Sequence, residues 1–230
     1  METPLEPIGP GDPIETLQWW QVWIRALTRP NERTYQALVD DPRAGLGRAA
    51  AWVALSSTLY TLLISAAQIA FGGLRQALVE LSGTMPLEAA PPPEFLLLGV
   101  ICLIPFSAAL AVTGLLLNAG ILQFIAGALG GQGSVARLAY ALAAFTAPAT
   151  LVMGGLSVIP LVGMCLSLPF SLYIFCLQFL AVKAVNRFSW GHAVATVALQ
   201  ILLVTLIALV VGLLAYDFVL EALRSSGMTI

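Results

Sequence analysis

A glycine cluster in the middle of the chain is the first stretch whose residue types could perform chemistry. The segment LGGQGSVAR (129–137) places Gly130, Gly131 and Gly133 ahead of a single arginine, Arg137. A glycine-rich loop holds a phosphate when a strand precedes it and when Gly-Lys-Ser/Thr opens the helix that follows. Here apolar, helix-like stretches lie on both sides, and no such ending occurs. The glycines are therefore interpreted as a turn between helices, with Arg137 anchoring the next helix.

The other reactive side chains form no catalytic or metal-binding pattern. The single histidine, His192, stands alone beside a predicted span entrance, and the three cysteines lie in apolar stretches without a Cys-x-x-Cys spacing. The sequence contains no His-Glu-x-x-His or Gly-x-Ser-x-Gly motif and no paired-carboxylate spacing. We therefore expect a protein without enzymatic activity, metal or cofactor.

Uncharged polar residues within the apolar stretches are the remaining candidates for a functional role. Asn118, Gln123, Gln178 and Gln200 each cost free energy when they face lipid. Each can instead bond across a helix interface, for about 0.6 kcal/mol on average. Packing between helices is the first interpretation, and a polar cavity for a transported substrate is the alternative.

The composition predicts that the elements carrying these residues are surrounded by lipid. Hydrophobic residues make up 59% of the chain and charged residues 10%, with a mean hydropathy of +0.92. A soluble globular chain is about 25% charged. Such an apolar surplus cannot be buried in one soluble core, so lipid is the predicted solvent. The net charge of −2 also lacks the basic character that nucleic-acid binding demands.

The distribution of charges predicts five membrane-spanning helices. Four stretches contain no Asp, Glu, Lys or Arg, namely 49–74, 95–136, 138–182 and 188–216. Because about 20 apolar residues cross a bilayer, the first and last stretches hold one span each. The third holds two, with a turn at Pro160 and a kink at Pro148. The second reads as one long helix, and two short spans there, giving six in total, are the alternative.

The basic residues assign an orientation to these spans. With five spans, eight of the ten Lys and Arg side chains fall on one side of the membrane, and only Arg75 and Arg224 fall on the other. Cytoplasmic loops carry such an excess of positive charge. The N-terminus is therefore predicted to lie in the cytoplasm and the C-terminus outside, in a multi-pass protein of the cytoplasmic membrane.

The chain before the first span is predicted to reach the membrane surface. Residues 1–14 are rich in proline and glycine, which is typical of disorder. In 15–30, Trp20, Ile24 and Leu27 recur with Trp23 at helical spacing, and tryptophan favours the bilayer interface. We interpret this stretch as an amphipathic helix on the cytoplasmic leaflet, and packing against the protein's own loops is the alternative. The predicted interface residues are Trp19, Trp20, Trp23, Arg25, Arg137, Lys183, Arg187 and Trp190.

These segments divide the chain into a disordered start (1–14), surface helices (15–47), a five-span domain (48–217) and a C-terminal tail (218–230). The order of motifs resembles the YIP family of five-span membrane proteins, and in particular its prokaryotic branch. The motifs that carry this resemblance are ALTRPNERTYQAL (26–38), NAGILQFIAGALGGQGSVARLAYALAAFTAPA (118–149), IPLVG (159–163) and AVKAVN (181–186). The resemblance covers about 20–216 and implies an all-α transmembrane bundle with a cytosolic N-terminus.

The resemblance also implies a range of functions. Eukaryotic relatives act in vesicle trafficking and bind small GTPases through a cytosolic DLYGP-type motif. The nearest letters here are GPGDP (9–13), so GTPase binding is doubtful for this chain. The predicted function is a non-enzymatic membrane organiser, scaffold or trafficking-like adaptor, whose partners are the lipid bilayer, other membrane proteins or a second copy. The alternative is a small permease or a subunit of a transport system.

Overall fold

The computed structural model describes residues 18–81, 93–157 and 160–225, which form seven helices. They are α1 (Trp19–Thr28), α2 (Glu32–Val39), α3 (Leu46–Leu81), α4 (Pro93–Ala128), α5 (Val135–Ser157), α6 (Pro160–Asn186) and α7 (Trp190–Ser225). We call α1 and α2 the platform, because they pack together on one end of the bundle formed by the five longer helices. The predicted disordered start and residues 226–230 of the predicted tail lie outside the described residues.

Five of the helices are long and apolar enough to cross a membrane. The candidate spans are Leu46–Gln68, Ile101–Ala128, Val135–Ser157, Cys165–Asn186 and Trp190–Tyr216. The stretch 95–136 forms one unbroken helix up to Ala128, as predicted, so the described residues supply five spans and not six. The all-α fold class and the count of spans are thereby confirmed.

The domain bounds differ slightly from the predicted ones. The first spanning helix begins at Leu46, so the predicted boundary at residue 48 falls inside its first turn. The last helix continues through residue 217 to Ser225, and the beginning of the predicted tail is therefore helical. Residues 217–225 contain no proline or glycine that would end the helix.

The turn between the third and fourth spans lies where Pro160 predicts it. α5 ends at Ser157 and α6 begins at Pro160, where a missing N–H costs no hydrogen bond. Gly163 lies in the first turn of α6, against the end of α5. A Cβ at this position would lie 2.4 Å from the carbonyl oxygen of Leu156, so only glycine permits the close approach. α5 itself continues as a helix through Pro148.

α5 is the central helix of the bundle. Buried residues make up 61% of its most apolar stretch and at most 28% of the corresponding stretch in the other four spans. Its sequence is rich in alanine between 139 and 149, and small side chains allow neighbouring helices to approach closely. Gly154 continues this packing, because a Cβ there would lie 2.9 Å from the ring of Tyr60 on α3.

Most of the buried residues among those described lie at the platform end of the bundle. Buried residues of α4, α5, α6 and α7 concentrate in 115–126, 138–149, 177–188 and 193–200. All of these segments adjoin the helix ends beside the platform. By contrast, every residue of α7 from 201 to 216 is exposed. Among the described residues, the core therefore lies in the platform half of the bundle. The later part of α7 presents its apolar side chains outward.

The close contact between α3 and α5 can be tested with a pair of adjacent glycines. We expect Gly154→Leu to lower the free energy of unfolding by about 1–3 kcal/mol, because the new side chain meets Tyr60. Gly155 has no atom within 4 Å of the position of a Cβ, so Gly155→Leu should be neutral. Thermal unfolding of both variants in detergent measures the difference. Equal midpoints for the two variants would contradict this packing.

Candidate functional site

The glycine cluster ends α4 and turns the chain toward α5. Gly130 has a φ of +87°, a left-handed conformation that glycine adopts without steric cost. The N–H of Gly130 donates to the carbonyl of Gly127 at 3.1 Å, and the N–H of Gly131 donates to the carbonyl of Ala126 at 2.8 Å. This pair of bonds is the Schellman motif that satisfies the last carbonyls of a helix. The interpretation of the cluster as a turn agrees with this geometry.

Asn186, the last residue of α6, holds this turn in place. Its Oδ1 accepts hydrogen bonds from the N–H of Gly133 at 3.1 Å and from Nε2 of Gln123 at 3.0 Å. Gln123 Nε2 also donates to the carbonyl of Gly133 at 3.0 Å, and Asn186 Nδ2 donates to the carbonyl of Val182. Asn186 is only 2% exposed. We call Gln123, Gly133 and Asn186 the amide lock, since together they join α4, α6 and the start of α5.

Two of the glycines are required by the space around the amide lock. A Cβ on Gly131 or on Gly133 would lie 2.6 Å from Oδ1 of Asn186. The loop therefore approaches α6 more closely than any residue with a side chain allows. The N–H of Gly133 is directed to a protein acceptor rather than to an open anion site, which agrees with the assignment of the loop as a turn.

The end of α6 places the predicted basic anchors beside the platform. Arg187 follows Asn186 with a φ of 54°, and the N–H of Phe188 then donates to the carbonyl of Lys183 at 3.1 Å. Lys183 lies 4.9 Å from the ring centre of Trp190 in a cation–π contact. Arg137 is exposed in the first turn of α5. The predicted anchors thus lie at the same end of the bundle, and their contact with headgroups stays a prediction.

Two tyrosines and an ion pair fasten the platform to the bundle. The hydroxyl of Tyr35 donates to the carbonyl of Ala26 at 3.2 Å, and the hydroxyl of Tyr173 on α6 donates to the carbonyl of Leu27. Lys183 forms a salt bridge with Glu32 of α2. Burial raises the pKa of Tyr35 above its ordinary value, with the nearby Tyr173 as a second cause. Tyr35 therefore remains a protonated donor, and α1 is linked to α2 and α6.

Packing of α1 against the bundle buries one part of its predicted apolar face and leaves the other part exposed. Val22 and Ala26 are fully buried against the bundle, and Trp23 and Leu27 pack partly against the same core. Trp20 and Ile24 point away, at 48% and 52% exposed. The alternative of packing against the protein therefore applies to half of the predicted face. The exposed residues of α1 also include Trp19 and Arg25, and their position at a bilayer interface stays a prediction.

A second polar cluster lies within the spans. Gln178 Nε2 on α6 donates to Oε1 of Gln200 on α7 at 3.0 Å, and Gln200 Nε2 donates to Oδ1 of Asn118 on α4. We call these three residues the amide chain. They line an open groove of about 210 Å³ together with Val204 and Thr205. The four polar residues singled out in the sequence therefore belong to two separate clusters, because Gln123 is part of the amide lock.

The residues that the sequence analysis did not single out are Asn186, Tyr35, Tyr173 and Glu32. Asn186 lies at the end of a span, between Lys183 and Arg187, and therefore resembles a loop residue in the sequence. Its place in the AVKAVN motif was the one signal in the sequence that pointed to it. Tyr35 and Glu32 lie in a short helix whose partner is far away in the sequence. Across the described residues no group of three His, Cys, Asp or Glu side chains could hold a metal ion.

Comparison with known proteins identifies a family. The family model described as the Yip1 domain matches residues 24–212. The matched region includes the second half of α1, all of α2 and the five candidate spans, except the last residues of α7. Neither a curated protein nor a solved structure gives a match. The matched region contains both the amide lock and the amide chain.

The amide lock can be tested by removing its central acceptor. We expect Asn186→Leu to lower the free energy of unfolding by about 1–3 kcal/mol, because the buried donors of Gly133 and Gln123 lose their partner. The Gly133 amide should also exchange its hydrogen faster. Thermal unfolding and hydrogen exchange of the 129–134 peptide measure the two effects. Gln132→Leu, a change at an exposed residue of the same loop, is the control, and equal exchange in both variants would contradict the lock.

Proposed function

We propose that this chain, which belongs to the Yip1 domain family, is a non-enzymatic organiser of the membrane that it spans. The observation that carries the proposal is the division of α1 into a docked face and an outward face. Val22 and Ala26 fix the helix to the bundle, and Trp20 and Ile24 remain exposed. An apolar pair of this size on a rigid support inserts readily into the headgroup and acyl boundary of a leaflet.

The fastening of the platform supports this proposal. A surface helix joined only by a flexible linker would exert little force on the bilayer. Here Tyr35 joins α2 to α1. Tyr173 and the Lys183–Glu32 pair connect these two helices to α6, a membrane span. Insertion of Trp20 and Ile24 would thus displace lipid in one leaflet only, at a fixed distance from the bundle.

The orientation belongs to the same proposal. The platform end carries Arg137, Lys183 and Arg187, and an excess of positive charge marks the cytoplasmic side of a membrane protein. We therefore place the platform and the N-terminus in the cytoplasm, the C-terminus outside, and the protein in the cell membrane. Other membrane proteins or a second copy are the proposed partners of the outward apolar faces.

A second candidate function, a small permease, is favoured by the groove beside the amide chain. Asn118, Gln178 and Gln200 give this groove a polar lining that an uncharged substrate could use. Their amide groups nevertheless bond to one another, which is the arrangement expected of helix packing. The organiser is therefore the preferred proposal.

Vesicle shape tests the organiser. Purified protein reconstituted into large vesicles should shift their size distribution in cryo-electron micrographs, and the double variant Trp20→Ser/Ile24→Ser should lose most of that shift. Its unfolding midpoint should stay the same, because both side chains are exposed. Ala37→Ser, at an exposed position of α2, provides a control on the same platform. A wild-type protein that leaves the vesicles unchanged would refute the proposal.

Water access to the groove separates the two candidates. The native cysteines at positions 102, 165 and 176 are first replaced by serine, and Thr205→Cys then places one thiol in the groove. An organiser with a packed, dry amide chain predicts no labelling by a charged, membrane-impermeant thiol reagent added to both sides. Labelling of this thiol, without labelling of Leu202→Cys on the outer face of α7, would favour the permease.

A further inference from the structure

A second groove lies where the platform meets the first spanning helix. Its volume is about 450 Å³, and its lining includes Trp19, Trp23, Trp52, Arg43, Arg48 and Leu55. Three tryptophans and two arginines thus come together from α1, from the connection between α2 and α3, and from the start of α3. Neither the amide lock nor the amide chain takes part in this groove.

The charge of the groove is positive. Arg43 and Arg48 both line it, and among the described lining residues none is acidic. Arg48 lies 4.9 Å from the ring centre of Trp52 in a cation–π contact, which holds its guanidinium in a defined position. Asp41 is buried, and its Oδ1 accepts from the backbone N–H of Arg43 at 2.8 Å. Guanidinium groups match the geometry of phosphate oxygens, so the groove favours an anion.

Aromatic rings form the wall of the groove beside the two arginines. Trp23 packs edge to face against Trp19 and Trp52, at centroid distances of 5.0 and 6.0 Å. Its Nε1 is buried, so the ring of Trp23, and not its N–H, lines the groove. Tryptophan rings favour the membrane interface, where lipid headgroups lie.

The position of the groove indicates that its ligand also has an apolar part. The first candidate span begins at Leu46, so Arg48 and Trp52 lie where α3 enters the bilayer. Below them Leu55, Leu59 and Leu62 share one face of α3 at helical spacing and are 53%, 43% and 43% exposed. A ligand that fits both regions has a negatively charged head and a hydrocarbon tail.

We propose that this groove is a binding site for an anionic phospholipid. Arg43 and Arg48 bind the phosphate, the tryptophan rings border the headgroup, and an acyl chain follows the Leu55, Leu59 and Leu62 face. A quaternary ammonium headgroup fits poorly, because Arg48 already occupies the face of Trp52. The site rests on the proposed function in one respect, namely that the platform end lies at the membrane surface.

Lipid retention tests the site in the full-length protein. Native mass spectrometry from mixed micelles compares bound phosphatidylglycerol with bound phosphatidylcholine. The wild type should prefer phosphatidylglycerol, and Arg43→Gln/Arg48→Gln should weaken its binding about tenfold or more, as expected for the loss of charge-assisted hydrogen bonds. The control Arg25→Gln/Arg29→Gln removes the same charge from exposed positions of the platform outside the groove and should retain the preference.

Three further measurements keep the proposal falsifiable. Because Arg48 packs on Trp52, the single variant Arg43→Gln is compared with Arg29→Gln, and it should lose binding where its control does not. Phosphatidylglycerol with brominated acyl chains should quench tryptophan fluorescence in the wild type more than in Arg43→Gln. Inorganic phosphate and glycerol phosphate, titrated separately, should not compete at millimolar concentration.

The outcomes have distinct meanings. Equal losses in the groove pair and the control pair would overturn the site in favour of general surface attraction. Full competition by inorganic phosphate would overturn the lipid assignment in favour of a soluble phosphate site. Trp20→Ser/Ile24→Ser should retain phosphatidylglycerol binding, so failure of the vesicle experiment and failure of this one are distinguishable.

Discussion

The side chain of Asn186 is the constraint on which the packed end of this protein depends. A turn between two membrane spans has backbone groups that neither helix satisfies, and next to a bilayer such groups are costly. Asn186 satisfies the N–H of Gly133 and receives Gln123 from α4. Three helix ends therefore meet at a single buried amide. The absence of side chains at Gly131 and Gly133 is the steric condition for that meeting.

The platform depends on the position that this lock gives to α6. Tyr173 and Lys183 lie on α6 within four turns of Asn186, and they bond to Leu27 and Glu32 of the platform. The platform in turn shapes the arginine and tryptophan groove, because Trp23 packs against Trp52 at the start of α3. One chain of contacts thus runs from the amide lock to the membrane-facing surface. The proposed organiser role and the proposed lipid site both depend on the rigidity that these contacts provide.

The two polar clusters show that the same type of side chain has different structural roles in this protein. Gln123 and Gln200 are both glutamines in apolar helices, and both are nearly buried. Gln123 stabilises a turn at the platform end, whereas Gln200 links three spans in their middle and borders a groove. Helical periodicity cannot separate them, because the difference lies in which helix is adjacent. Their assignment therefore required the positions of α4, α6 and α7 relative to one another.

The sequence by itself determined that lipid surrounds the chain, how many spans there are and where they turn. It also determined that most basic residues lie at one end of the bundle. These properties follow from local composition, since an apolar stretch of sufficient length crosses a bilayer whatever its neighbours are. It also identified the glycine turn and the family resemblance that the Yip1 domain match supports. Only the tertiary structure decided the partners of Asn186, the docking of Val22 and Ala26 in place of Trp20 and Ile24, and the joining of Arg43 with Trp23 and Trp52. These outcomes depend on contacts between segments far apart in the chain, and hydrophobic periodicity contains no information about which faces meet.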